Sequence, residues 1–217
     1  MFRCKGARVG IVERREREKT ERRNAILTSA EELFFRTGYE KTRMLEIAHH
    51  CELSKGALYL YFNTKEDLAK AVVIRAYDLL LQMLEDNASQ AETGLEQVRA
   101  MLQTLFSMYH EHYRTFYLSF VLESHLQAYL VDDRQWPERT ARLDRIHQMA
   151  ASVLHQGIRD GTVRQDVDPE LAAVTAMTAA EGFVHQIFLY GDHIAKDRYP
   201  TETLVREFVT IMVNSVA

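Results

Sequence analysis

Residues 42–65, TRMLEIAHHCELSKGALYLYFNTK, predict two short helices joined by a tight turn. Thr42 carries a side chain suited to cap the first helix, and Ser54 is suited to cap the second. In the second helix, Leu58 and Phe62 lie four positions apart and therefore share one face. This order of elements predicts a helix-turn-helix whose second helix packs through an apolar rear face.

The side chains that remain on the front of the second helix are suited to contact a nucleic acid. Gly56 and Ala57 are small enough to let the helix approach the floor of a DNA groove closely. Lys55 can reach a guanine edge or a phosphate, and the tyrosine hydroxyls are donors suited to phosphates. We therefore expect DNA contacts from Lys55, Gly56, Ala57, Tyr59, Leu60 and Tyr61.

The region from Arg23 to about Val73 resembles the DNA-binding domain of the TetR family of transcriptional repressors. The resemblance rests on AILTSAEELFFRTGYEKTRMLEIA, residues 25–48, and on LSKGALYLYFNTKEDL, residues 53–68. It implies that three helices form a DNA-binding module and that a fourth links it to a helical body for effector binding and dimerisation. It also implies a two-state dimer in which an effector releases a palindromic operator, with the fourth helix as the lever.

The resemblance further implies a role for each matching residue. Phosphate contacts fall on Thr42, Tyr59, Tyr61 and Lys65, whereas base contacts fall on Arg43, Lys55, Gly56 and Ala57. Leu60 lies beside them, where many family members carry a polar, basic or aromatic residue. Because of that departure, the resemblance does not specify the contact of Leu60 or the operator sequence.

The composition favours an all-α protein. The chain has 217 residues, of which 47% are hydrophobic, and it contains only 9 Gly and 3 Pro. Few helix breakers and many strong helix formers are typical of helical proteins. We expect about nine helices and no strand, with the five helices of the body near residues 95–111, 114–130, 137–158, 169–190 and 201–216.

Charge and periodicity divide the chain into three predicted parts. Residues 1–70 hold 15 Lys and Arg against 11 Asp and Glu, whereas the remainder holds 12 against 20. A basic front on an acidic body suits a front that meets a polyanion. We expect a flexible basic arm over 1–18, a helix-turn-helix domain over 19–64 and an effector-binding and dimerisation domain over 65–217. The arm either adds a DNA contact or is a solvated helix extension.

The middle helices contain many large, adaptable side chains that predict an apolar cavity with a few polar groups. Such a cavity suits a small, largely hydrophobic effector. The candidate ligand-binding residues are Met101, Leu105, Tyr109, Tyr113, Phe116, Tyr117, Phe120, Glu123, His147, Met177 and Glu181.

The last two helices are more apolar than one intramolecular contact requires, which predicts that they pair with their copies in a homodimer. A two-fold dimer also matches a palindromic DNA site. The candidate interface residues are Leu171, Val174, Gly182, His185, Phe188, Leu204, Val205, Phe208, Ile211 and Met212.

Other classes of function find little support. The single Glu-x-x-His match, Glu46 to His49, lies inside the helix-turn-helix, and the chain lacks the common hydrolase and phosphate-loop motifs. A helical enzyme and a metal-sensing regulator remain the alternatives, the latter because nine histidines are present. We expect no cofactor, no metal and no membrane span. Two cysteines without a disulfide pattern fit a cytoplasmic protein.

Overall fold

The structure, a computed structural model, describes residues 5–88, 91–127, 136–194 and 199–217. Within these ranges the chain forms nine α-helices and no strand. The helices are α1 (Lys5–Thr37), α2 (Met44–His50), α3 (Lys55–Tyr59), α4 (Lys65–Ala88), α5 (Gly94–Glu111), α6 (Tyr113–Gln127), α7 (Pro137–Asp160), α8 (Pro169–Ile194) and α9 (Thr201–Asn214). The all-α prediction and the positions of the five body helices are confirmed.

The first helix is much longer than the sequence pattern indicates. The sequence predicts a flexible arm over 1–18, but α1 already begins at Lys5. Its added part is rich in Arg and Glu, which are strong helix formers without an apolar period. Arg14 and Glu18, four residues apart, form an ion pair at 3.4 Å that supports the helical conformation. Residues 5–18 are therefore corrected from a non-helical arm to a helix.

The first compact unit comprises Met1–Val73 and Val121–Leu126. Its core contains the inward side chains of α1, α2, α3 and the start of α4. Tyr39, which follows α1, meets Phe34 edge to face at a centroid distance of 5.4 Å. Leu122 and Leu126 of α6 are also fully buried. A segment from the middle of the chain therefore completes the N-terminal unit.

The second compact unit comprises Ile74–Phe120 and Gln127–Ala217. Its core has two apolar clusters that lie on either side of α5. One cluster contains Leu84, Met101, Ile146 and Leu154. The other joins α5 to α8 and α9 and includes Phe106, whose ring meets Phe183 at 5.6 Å and Phe208 at 5.7 Å.

The start of α5 meets the end of α7 almost backbone to backbone. A Cβ added at Gly94 would lie 2.3 Å from the Cα of Gly157. The N–H of Gly94 donates to Asp160 at 2.8 Å, and the N–H of Leu95 donates to the Thr162 hydroxyl at 3.2 Å. Hydrogen bonds from the Thr162 side chain and from Gly94 lower the pKa of Asp160. Asp160 at the end of α7 and Thr162 just after it thus satisfy two of the free donors that begin α5.

An alanine at either glycine of this crossing should cause a steric clash, but a second substitution can relieve only one of the two clashes. In Gly157→Ala the new Cβ would lie 2.4 Å from Cγ2 of Val163, a side-chain atom, so Val163→Ala partly relieves the clash. In Gly94→Ala the nearest atoms are backbone atoms of Gly157, which no side-chain truncation moves. We expect a cost of about 1–3 kcal/mol for Gly157→Ala and at least as much for Gly94→Ala.

Urea unfolding of the single and double variants measures the difference. The Gly157→Ala and Val163→Ala pair should be less destabilised than the sum of its members by about 0.5 kcal/mol or more. The Gly94→Ala and Val163→Ala pair should be additive. Additivity in both pairs would contradict the packing described for Val163.

Candidate functional site

The turn between α2 and α3 is a Schellman motif built on a non-glycine residue. Glu52 has φ 56°, its N–H donates to the carbonyl of His49 at 3.0 Å, and the N–H of Leu53 donates to the carbonyl of Ala48 at 2.8 Å. These two bonds satisfy carbonyls at the end of α2 and redirect the chain at once. The turn therefore fixes where α3 begins.

The third helix is short, capped at its start and anchored by its rear face. The Ser54 hydroxyl accepts a hydrogen bond from the N–H of Ala57 at 3.1 Å, as the sequence predicted. Leu58 is 0% exposed and Phe62 is 4% exposed, so both side chains are buried in the first unit. A helix of five residues has little stability of its own, and this burial supplies it.

The front of α3 is open to solvent. Lys55 and Gly56 are exposed, and Leu60 is 83% exposed. A Cβ added at Gly56 would meet no atom within 4 Å, so the surface around it can accept a ligand closely. The Lys55 ammonium lies 5.8 Å from the ring centroid of Tyr59, which is itself exposed. Small residues, a cation and an aromatic hydroxyl thus share one accessible surface.

Three other predicted contact residues lie around this front. Ala57 and Tyr61 are partly exposed. Arg43 is exposed at the start of α2, where its N–H donates to Glu46 at 2.8 Å. The side chain of Arg43 can therefore point to a ligand while its backbone holds the helix start.

Thr42 is not a surface contact in this structure, which corrects its predicted role. It is 1% exposed, and its hydroxyl donates to the carbonyl of Gly38 at 2.8 Å. The cap position of α2 belongs to Arg43, with Thr42 one residue before it. The hydroxyl of Thr42 thus closes the turn after α1 and is not available to a phosphate.

The ammonium of Lys65 is also engaged within the protein. It donates to the carbonyls of Tyr39 at 2.8 Å and of Glu40 at 3.2 Å, and it lies 4.3 Å from the centroid of the Tyr39 ring. An ammonium has three N–H donors, and two are used here. Lys65 therefore fastens the turn before α2, a role that the resemblance did not imply.

His125 of α6 covers the same turn. Its ring lies 5.6 Å from that of Tyr39, and its Nδ1 is 3.6 Å from a carboxylate oxygen of Glu40. Lys65 and His125 thus hold the two residues after Gly38 from different helices.

The second unit contains a mostly apolar cavity of about 290 Å³. It lies between α5, α7, α8 and the end of α9. Met101 and Met177, both predicted ligand residues, line it. The other lining residues are Val98, Leu102, Ala150, Leu154, Arg164, Val167, Asp168, Leu171, Ala172, Ala173, Thr175, Ala176, Met212, Ser215 and Val216.

The remaining predicted ligand residues do not line this cavity. Leu105 and Phe116 pack against both apolar clusters, and Tyr117 and Phe120 pack against the second. Tyr113 stacks on Tyr117 at 5.7 Å, and His147 lines a separate surface groove. Glu123 is buried in the first unit, Glu181 is exposed, and the side chain of Tyr109 lies outside the described residues.

The cavity residues that sequence reasoning missed are mainly small or lie in the α7–α8 connection. Ala172 and Ala176 carry no bulk that marks a ligand site, so their pattern gives no signal. Arg164 and Asp168 were recognisable only as charged residues in a connecting segment. Arg164 pairs with Asp166 at 3.3 Å, and a carboxylate oxygen of Asp168 accepts from the N–H of Leu171 at 3.1 Å.

The predicted dimer residues divide into an open group and a packed group. Leu171 is 66% exposed, Val174 45% and Ile211 58%, which leaves large apolar side chains open to solvent on α8 and α9. Gly182 is exposed, His185 stacks on Phe120 at 5.4 Å, and Leu204 is partly exposed. Val205, Phe208 and Met212 pack on the second cluster, and the side chain of Phe188 lies outside the described residues.

Among the residues that the structure describes, no three His, Cys, Asp or Glu side chains come together as a metal site. No helix there is both long enough and apolar enough to cross a membrane.

Comparison with known proteins relates both units to regulators. The model of the family described as bacterial regulatory proteins, tetR family, matches residues 26–72. The HTH-type transcriptional regulator TtgR of Pseudomonas putida is 25% identical over 190 residues, which are 85% of this chain and 88% of TtgR.

Solved structures resemble the fold over nearly the whole chain. A TetR transcription regulator from Haloarcula marismortui gives a TM-score of 0.74 at 18% identity, with 91% of this chain and 98% of that chain covered. AibR, solved in complex with isovaleryl coenzyme A and operator DNA, gives 0.63 at 23% identity, with 90% and 97% covered.

The two lysines near α3 should respond differently to truncation. Lys65→Ala removes two charge-assisted hydrogen bonds to carbonyls, so we expect it to lower the free energy of unfolding by about 1–2 kcal/mol. Lys55→Ala removes only an exposed contact with Tyr59 and should stay within about 0.5 kcal/mol of the parent. Urea unfolding of both variants compares them, and equal stabilities would contradict the role assigned to Lys65.

Proposed function

Because this chain belongs to the TetR family of bacterial regulatory proteins, we propose that it is a transcriptional repressor whose operator is released by a small effector. The observation that carries the proposal is the exposed front of α3 over its buried rear face, Leu58 and Phe62. Nothing in the packing of a five-residue helix requires a cation, a glycine and a tyrosine on its open side. A protein that acts on DNA in this way works in the cytoplasm.

The residues at this front take different roles in the proposed complex. Lys55, Gly56, Ala57 and Arg43 face base edges, with Leu60 beside them. Tyr59 and Tyr61 donate to phosphates. Thr42 and Lys65 act indirectly, because their polar groups hold the turn that precedes α2.

We propose that the domain boundaries follow the two compact units closely. The DNA-binding domain then comprises residues 19–64 together with the helical extension before it and the start of α4 as far as Val73. The rest of the chain forms the effector-binding and dimerisation domain, except that the end of α6 completes the N-terminal unit.

The proposed repressor is a homodimer that pairs through α8 and α9. Leu171, Val174 and Ile211 are large apolar side chains that a monomer leaves exposed. Their burial in a two-fold interface removes apolar area from water, the main favourable term in such associations. Two recognition helices about 34–36 Å apart then match a palindromic operator.

The proposed effector site is the cavity between α5, α7, α8 and α9. Its methionines suit a hydrophobic ligand of variable shape, and its volume of about 290 Å³ limits the ligand to a small molecule. The polar groups of Thr175 and Ser215 at the cavity can orient such a ligand. AibR, a regulator of this fold, was solved in complex with isovaleryl coenzyme A, a ligand whose acyl group is small and apolar.

We propose that α4 and α6 link effector binding in the second unit to operator binding by the first. Each of these helices contributes residues to both compact units, α4 on either side of Val73 and α6 on either side of Phe120. A ligand shifts such an equilibrium only by its different affinity for the two states. Lys65 of α4 and His125 of α6 contact the turn at Tyr39 and Glu40.

A gel-shift assay with DNA from upstream of the chain's own gene tests the proposal. The expected result is a retarded band that specific competitor removes and Gly56→Glu abolishes, because the acid enters the surface that meets DNA. Gly56→Ala is the matched variant that retains a small side chain. Failure of the parent protein to bind at low salt would overturn the repressor proposal.

Two exposed apolar residues should separate dimerisation from DNA binding. Ile211 is 58% exposed on α9 and Leu60 is 83% exposed beside α3. We expect Ile211→Glu to give a monomer and to weaken operator binding. Leu60→Glu should leave the dimer intact and reduce operator affinity at least about tenfold, roughly 1.4 kcal/mol. Light scattering and the gel shift measure the two effects, and a dimeric Ile211→Glu protein would contradict the proposed interface.

Filling the cavity should block ligand binding without harming DNA binding. Ala176→Phe places a ring among the cavity residues, whereas Ala141→Phe adds the same ring at an exposed site of α7. The neutral fluorophore N-phenylnaphthylamine serves as the probe. The increase in its fluorescence on binding reports its affinity. We expect this affinity to fall at least about tenfold for Ala176→Phe and to stay unchanged for Ala141→Phe. Unchanged binding in both would place the ligand elsewhere.

A further inference from the structure

The cavity between α5, α7, α8 and α9 has an apolar interior and a polar open end. Met101, Leu102 and Leu154 line it and are buried. Leu171 also lines it but is exposed, so the cavity opens to solvent beside this residue. The polar lining residues are all exposed as well, and we call this open end the mouth: Arg164, Asp168, Thr175 and Ser215. Such a lining suits an amphipathic molecule whose polar group stays at the mouth.

The mouth carries two opposite charges, and the fold already uses the negative one. A carboxylate oxygen of Asp168 accepts from the N–H of Leu171 at 3.1 Å, in the first turn of α8. The positive end of the helix dipole also favours a negative charge at this position. The charge of Asp168 is therefore partly offset within the protein.

The guanidinium of Arg164, by contrast, has donors to spare. Its Nε lies 3.3 Å from a carboxylate oxygen of Asp166, in a pair whose side chains are 52% and 79% exposed. A pair this exposed is weak and exchanges readily for another partner. A guanidinium has five N–H donors, and Asp166 is the partner that the described residues supply.

The position of Arg164 suits the capture of a ligand at the mouth. Its backbone is fixed, because its N–H donates to the carbonyl of Val216 at 2.9 Å, and Val216 itself lines the cavity. The two terminal nitrogens of the guanidinium form a planar fork that matches the two oxygens of a carboxylate. The side chain can thus hold a carboxylate where the apolar interior ends.

We infer that the cavity takes a hydrophobic monocarboxylate, whose chain lies among the methionines and whose carboxylate is bound by Arg164. The inference rests on the proposed function, because it names the class of effector for the same cavity. One guanidinium beside two aspartates, Asp166 and Asp168, favours an anion with a single charge. A phosphate carries more negative charge and is repelled more strongly by both aspartates.

Displacement of N-phenylnaphthylamine from the full-length protein tests the inference with ligands that share one alkyl chain. Decanoate, decanol and decylamine differ chiefly in the head group, so a comparison of their affinities isolates the contact at the mouth. Arg164→Gln removes the positive charge there. Arg159→Gln is the matched control, because it removes the same charge from an exposed residue of α7 that lines a separate groove.

We expect the parent protein to bind decanoate more tightly than decanol or decylamine. In Arg164→Gln the affinity for decanoate should fall at least about tenfold while that for decanol stays unchanged, because charge-assisted hydrogen bonds are lost. Arg159→Gln should bind all three ligands as the parent does. Asp166→Asn should raise the affinity for decanoate, since it removes the competing partner of Arg164. Leu171 also belongs to the proposed dimer face, so light scattering should show an unchanged oligomeric state in each variant.

Two results would overturn the inference. Tighter binding of decylamine than of decanoate would assign the head group to Asp168. An equal loss of decanoate affinity in the Arg164→Gln and Arg159→Gln variants would show an effect of net charge and no specific contact.

The same titrations separate this inference from the proposed function. Ala176→Phe fills the cavity and should weaken the binding of decanoate and decanol alike. If it weakens neither, the proposed effector site is wrong and the inference falls with it. If it weakens both but Arg164→Gln does not distinguish them, the effector site stands and the carboxylate contact is wrong.

Discussion

The burial of Leu58 and Phe62 is the constraint on which the DNA-reading surface depends. A five-residue helix cannot persist alone, so its position is set by its rear contacts, its Ser54 cap and the turn at Glu52. The front residues are not needed to anchor the helix because Leu58 and Phe62 are buried behind it. This division lets Lys55, Gly56 and Leu60 remain exposed without loss of structure.

Some polar residues near α3 hold the protein's own backbone in place, a role that the sequence motif alone does not show. Thr42 and Lys65 stand at positions that the resemblance assigns to phosphates, yet their donors are bound to carbonyls of the turn after α1. A buried donor without a partner is costly, so these bonds persist unless a ligand replaces them. The turn is thereby tied to α4 through Lys65 and to α6 through His125.

Sequence reasoning predicted the fold well because helix periods and caps are local. The positions of α5 to α9, the Ser54 cap and the rear face of α3 all followed from spacing and residue type. The extent of α1 did not, because Arg and Glu favour helix without leaving an apolar period. The cavity was harder still, since only Met101 and Met177 were named for it and its other walls come from four separate helices.

The extension of α1 illustrates why exposure and charge must be read together. Ion pairs such as Arg14 with Glu18 can hold a helix in water, but they act on any face equally. Arg15, Lys19, Arg22 and Arg23 nevertheless share one face, which Glu16 and Glu18 border. Like charges along one face repel each other and lower helix stability slightly. The ion pair of Arg14 with Glu18 offsets part of this repulsion, so the exposed segment keeps its helical conformation in water without a buried face.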